Sequence, residues 1–239
     1  PALASEKMLH AVEVFASFFV PFYFFKAGLH LERSDTRELV ADGIAVLCID
    51  QPLHGSRGPD GQLLDETQLV LYSFNFTNPY AGRSAFRQAA IDTVVLSRMI
   101  EASRFDIEAA NTKARKPMRL DPDKIFFYGH SHGGLSGTLA LAVDPRLKAG
   151  IISGMSGVII ETILRRKDVA DLAQLAATFL GIDQAQLDSF HPALNLMQML
   201  VDATDPMSYS RYWINPRSPI VPAKSVFVTQ GTMDAASPA

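Results

Sequence analysis

The stretch 124–134 reads Lys-Ile-Phe-Phe-Tyr-Gly-His-Ser-His-Gly-Gly and constrains the fold more than any other part of the chain. An apolar, aromatic run ends in Gly129-His130-Ser131-His132-Gly133, a G-x-S-x-G, and a helix-compatible segment over 135–143 follows at once. This order predicts a strand, a sharp turn carrying Ser131, and a helix. The glycines suit such a turn. The serine position is strained, and side chains two residues away on either side are expected to collide with it. Gly134 is expected to leave room for the helix to pack on the sheet. The turn would lift Ser131 Oγ above the strand end and set the N–H of His132 at the helix N-terminus, where it can bind an oxyanion. His130 and His132 are poor candidates for the base that activates Ser131, because neighbours on a tight turn point away from its Oγ. One is expected to pack, and His130 is taken to face the substrate.

The 239 residues suffice for one large domain or two small ones. Hydrophobic residues make up 48% and charged residues 20%, so a buried core is expected and disorder is not. A net charge of −3 argues against a nucleic-acid partner. The single cysteine, Cys48, allows no intrachain disulfide. The apolar run 15–25 is interrupted by Pro21 and ended by Lys26, too short for an integral membrane span. It reads as a core strand.

Strands are expected at 18–26, 44–49, 124–128, 149–153 and 225–229, with helices at 34–41 and 83–102 and a polar loop over 51–61. This alternation predicts an α/β fold, a mostly parallel sheet with helices on both faces. Between the last two strands, 159–166, 169–180 and 192–203 all look helical. The connection is far longer than an ordinary loop, so a helical cap is expected before the last strand. The resulting division is a core over 1–154, a cap over 155–220 and a core continuation over 221–239. Leu194, Met197, Met199 and Leu200 belong mostly to the cap's own packing. Any excess facing the site would suit an apolar substrate.

The strand at 225–229 leads into Gln230-Gly231-Thr232-Met233-Asp234. A carboxylate just past a strand end, downstream of the serine, fits the order serine, acid, histidine, with Asp234 orienting an imidazole. No histidine follows Asp234; the six are His10, His30, His54, His130, His132 and His191. The chain therefore reads as stopping short of its general base and, alone, as nearly inactive. A hydrolase relative without a base is the other reading. A second oxyanion donor is expected from an earlier loop, where the N–H of Leu29 is the candidate. Gly28 would allow close approach, and His30 would shape the pocket.

On these motifs the chain resembles an α/β-hydrolase from the first core strand through the acid. The matching residues are Gly129 through Gly134, Asp50-Gln51-Pro52-Leu53-His54-Gly55 with Arg57-Gly58, and Gly231-Thr232-Met233-Asp234 with Pro238. The second group is similar to a turn of bacterial extracellular lipases, in which Asp50 and His54 would organise the backbone without taking part in the chemistry. The chain departs from the family at Ala27-Gly28, where His-Gly is common. The resemblance implies a serine carboxylesterase that uses Ser131 and Asp234, with His132 and Leu29 as oxyanion donors and Gly28, His30 and His130 near the substrate. The substrate would be a small-molecule or lipid ester. No metal or organic cofactor is implied. Secretion would follow from the lipase likeness alone, and the oligomeric state is left open. A peptidase or acyltransferase on the same scaffold and a non-catalytic binding protein are the competing functions.

Overall fold

The computed structural model describes residues 43–75, 77–112, 115–168, 170–232 and 234. The expected strand at 18–26, the helix at 34–41, and Gly28, Leu29 and His30 lie outside the described residues. The chain divides into two units, Pro1–Cys48 and Ile49–Ala239. In the first, residues 44–48 carry no strand assignment, and the apolar side chains of Ile44, Val46 and Leu47 are exposed. A strand is defined by its ladder, and no described residue pairs with this segment.

The second unit is built around three parallel strands, β1 (Ile125–His130), β2 (Leu147–Ser153) and β3 (Ser225–Thr229), in the order β1-β2-β3. His130 pairs with Ser153, and Ser153 with Thr229, so all three strands end on one edge. Parallel neighbours need crossovers. The helix α3 (His132–Val143) joins β1 to β2 and is buried from Gly134 to Ala142. Before β1 come α1 (Glu66–Phe74) and α2 (Pro79–Glu101). A capping box, Asp65 with Gln68, starts α1. That D-x-x-Q was visible in the sequence, although no helix is expected there from periodicity. Asn78 caps α2 and Pro79 occupies its first turn, which puts the helix start ahead of the expected residue 83.

Between β2 and β3 lie α4 (Ile159–Arg165), α5 (Leu172–Leu180), α6 (Pro192–Val201) and α7 (Pro206–Tyr209), and no strand among the described residues. One apolar cluster joins them to the rest of the unit. Ile159, Ile163, Leu172 and Leu194 pack with Phe74 of α1, Phe86 of α2 and Leu135 of α3. A second cluster joins α2, α3, β1 and β2 beneath Trp213, whose Nε1 donates to Thr138 O at 3.2 Å.

Candidate active site

Ser131 lies between β1 and α3 with φ 51° and ψ −118°. Left-handed backbone at a non-glycine residue is strained by about 1–3 kcal/mol and persists only where its surroundings hold it. Here they do. Ser131 N–H donates to Ser153 O at 2.9 Å, which extends the β1–β2 ladder by one residue. Its own carbonyl accepts from Gly134 N–H at 2.8 Å and Leu135 N–H at 3.1 Å, the first turn of α3. The strand thus passes into the helix at the serine itself.

The two motif glycines are not equivalent. A Cβ on Gly129 would stand 2.5 Å from Gly133 O, so the reversal closes only without a side chain there. A Cβ on Gly133 would meet nothing nearer than Gln51 Nε2 at 3.5 Å, an ordinary contact. The expected collision exists on the strand side alone. Gly134 does bring α3 close to the sheet: a Cβ there would lie 3.2 Å from Ile152 Cγ2.

The 50–58 turn joins this site from the side. Asp50 Oδ2 accepts from Ser56 N–H and Oγ at 3.1 Å, and Arg57 NH1 donates to Asp50 O at 2.9 Å. Gln51 Nε2 donates to Ser136 Oγ at 2.9 Å, while its Oε1 accepts from His132 Nδ1. His132 is stacked on Phe86, with ring centroids 4.5 Å apart, and tilted against His54 at 4.9 Å. Its Nε2 is buried with no hydrogen-bond partner among the described residues. Burial, with lesser contributions from His54 and Arg166, pushes its pKa down to about 3. The ring of His132 is therefore a neutral packing element at ordinary pH. Its backbone N–H, at the start of α3, has no intrahelical partner.

His130 takes a different direction. Its Nδ1 lies 3.4 Å from Ser153 Oγ. A Cβ on Gly154 would be 3.1 Å from His130 Cε1 and 3.6 Å from Asp234 Oδ2, which brings these two side chains to one place beyond the end of β2. Burial lowers the His130 pKa, and the Asp234 carboxylate partly opposes that. Asp234 thus stands on the strand edge that carries Ser131. His130 faces the acid and does not line the cavity beside the serine.

That cavity holds about 20 Å³, room for a single water. Phe74 and Leu135 supply apolar walls; Ser156, Thr162 and Arg166 supply polar ones. The lining is mixed, where the Leu- and Met-rich composition suggested an apolar cleft. Leu194 and Met197 are drawn into the apolar cluster, and Met199 points outward, 71% exposed. Ser156, Thr162 and Arg166 line this cavity and carry no local signal in the sequence. The local run Arg165-Arg166-Lys167 looks like any solvated basic surface. Of the other described histidines, His54 donates from Nδ1 to Pro52 O at 2.9 Å, and His191 precedes α6. Neither lines the cavity.

Among the described residues no cluster of three His, Cys, Asp or Glu side chains could hold a metal ion. No helix among them is long and apolar enough to cross a membrane. A family model described as the alpha/beta hydrolase family matches residues 14–237. No curated protein and no solved structure matches the chain.

Proposed function

The chain belongs to the alpha/beta hydrolase family, a family of hydrolases with a parallel sheet and flanking helices, and from that premise we propose that it is a serine hydrolase of carboxylic esters. The observation that carries this reading is the backbone of Ser131, φ 51° and ψ −118°, at the C-terminal end of a parallel strand and the N-terminus of a helix. Strain is retained there by hydrogen bonds on both sides, and it presents Oγ to the strand edge.

Ser131 Oγ attacks the ester carbonyl. The developing oxyanion is held by the N–H of His132, and water later releases the acyl group. Asp234 orients the general-base histidine and stabilises its imidazolium. His132 does not fill that base role: Gln51 holds its Nδ1, and a pKa near 3 leaves it too weak to take the serine proton. Residues 155–220 act as a cap whose Ser156, Thr162 and Arg166 face the nucleophile. The mixed polar and apolar lining favours a partly polar ester over a wholly apolar one.

The test is active-site labelling. A fluorophosphonate should modify the full-length protein at Ser131, and Ser131→Ala should prevent it. Short p-nitrophenyl esters should be cleaved and peptide anilides should not, with kcat falling about 10⁴-fold or more in Ser131→Ala. A protein that neither labels nor cleaves esters would be a binding module on this scaffold.

A further inference from the structure

The wall of the Ser131 cavity carries one charged side chain, Arg166. It comes from the end of α4, is 13% exposed, and reaches the cavity together with Thr162 from the same helix. Asp168 holds it from behind: Arg166 Nε donates to Asp168 Oδ1 at 2.7 Å, and NH2 to Oδ2 at 3.0 Å. The guanidinium also lies over the Phe74 ring, 5.8 Å from its centroid. These contacts fix the plane of the fork. They use only part of its five side-chain N–H donors, and among the described residues the guanidinium makes no other hydrogen bond.

An arginine paired with an aspartate two residues away forms equally well in solvent, where it stabilises by little. Here the arginine is half-buried on the wall beside the serine, while Asp168, its outer partner, is exposed. What the location provides is a preorganised donor fork on the wall of the cavity that also holds Ser131. The field of Arg166 reaches His132, the residue after the nucleophile. The neighbouring hydroxyls are paired with each other, Thr162 Oγ1 donating to Ser156 Oγ at 2.7 Å, and do not occupy the remaining donors of the guanidinium.

We propose that Arg166 is the specificity-determining residue of this pocket and that the ester cleaved at Ser131 carries a carboxylate on its acyl portion, which the uncommitted donors of the guanidinium recognise. This deepens the ester-hydrolase reading and rests on it. A planar donor fork matches a carboxylate already present in the ground state. The arginine therefore acts on substrate binding, and the oxyanion is left to backbone N–H groups.

The experiment separates the two ideas. Ser131→Ala in the full-length protein keeps the pocket without turnover. Its binding of monomethyl glutarate and of methyl valerate, a neutral ester of similar length, is measured by calorimetry. The glutarate ester should bind about tenfold tighter, the worth of one charge-assisted hydrogen bond. The preference should shrink with added salt, disappear in Arg166→Gln and partly survive in Arg166→Lys. Equal or absent binding of the two esters in Ser131→Ala overturns the assignment without any arginine variant, and so does a preference that survives Arg166→Gln. Fluorophosphonate labelling of the unsubstituted protein reports on the hydrolase reading alone. A protein that labels but binds both esters equally loses only the carboxylate assignment. One that shows the arginine-dependent preference but never labels loses only the hydrolase reading.

Discussion

His132 has two parts with separate consequences. Its backbone N–H stands at the α3 N-terminus beside Ser131, while its ring is packed between Phe86 and His54 and tied to Gln51. The ring has a cost in acid. Its folded pKa, about 3, lies below the ordinary histidine value. Above about pH 6.5 the ring is neutral in both folded and unfolded chains and adds no pH dependence. Below that, the unfolded chain takes up a proton that the folded chain refuses. Stability should therefore fall as pH drops from about 6.5 toward 3, by up to about 1.4 kcal/mol per pH unit. His132→Gln keeps a donor for Gln51 and removes the titration. Urea unfolding at pH 7 and pH 4 should show the wild type losing about 3 kcal/mol more than the variant. Equal losses would mean that the ring is protonated in the folded state.

At the scale of elements, α4 shows how a helix can be started from elsewhere in the chain. Its N-cap is Val158, at φ 57°, which has no capping side chain. Asp205 supplies the cap from 46 residues away, accepting from Ile159 N–H at 2.7 Å and from Val158 N–H at 3.1 Å. The same carboxylate accepts from Gln198 Nε2 at 2.8 Å and from Met207 N–H at 2.9 Å, and it is 1% exposed. It thereby positions the helix that brings Thr162 and Arg166 to the cavity. Asp205→Ala leaves several buried donors unpaired and should destabilise the protein by about 3 kcal/mol. Hydrogen exchange should speed up at 158–165 before it does in β1 and β2. Unchanged exchange in α4 would show that Asp205 does not hold that helix.

Across the whole second unit, polar locking at the opposite edge of the sheet complements the site. Asp144, fully buried just before β2, accepts from Ser97 of α2 and from Arg146 NH1 at 2.9 Å. Arg146 Nε reaches Glu101 at 2.6 Å, and Lys224, just before β3, donates from Nζ to the carbonyls of Asp144 and Leu147 at 2.6 Å each. Burial lowers the Lys224 pKa, with Asp144 opposing. The group ties α2 to the starts of β2 and β3. Asp144→Ala removes one partner of a buried ion pair and should destabilise folding by about 3–5 kcal/mol. Because the strands are parallel, this cluster lies at the strand edge away from Ser131, so the fluorophosphonate reactivity of the remaining folded molecules should be unchanged. Reduced reactivity per folded molecule would show that the two edges are coupled.

The sequence alone determined the features that depend on neighbours in the chain. The strand–serine–helix reversal was legible because apolar run, glycine pattern and helix-forming segment are contiguous, and Gly129 admits no side chain for a local backbone reason. The parallel arrangement of β1, β2 and β3 was legible because alternating strands and helices allow little else. Tertiary structure decided what depends on distant partners. It paired Gln51 with His132 across 81 positions, capped α4 with Asp205, turned His130 toward Asp234, and brought Arg166 out of an ordinary basic run to the wall beside Ser131. Periodicity and composition report a side chain's own preference for water or core. They carry no record of which other segment arrives to meet it, and for a charged residue such as Arg166 that partner decides between a solvated surface and a binding site.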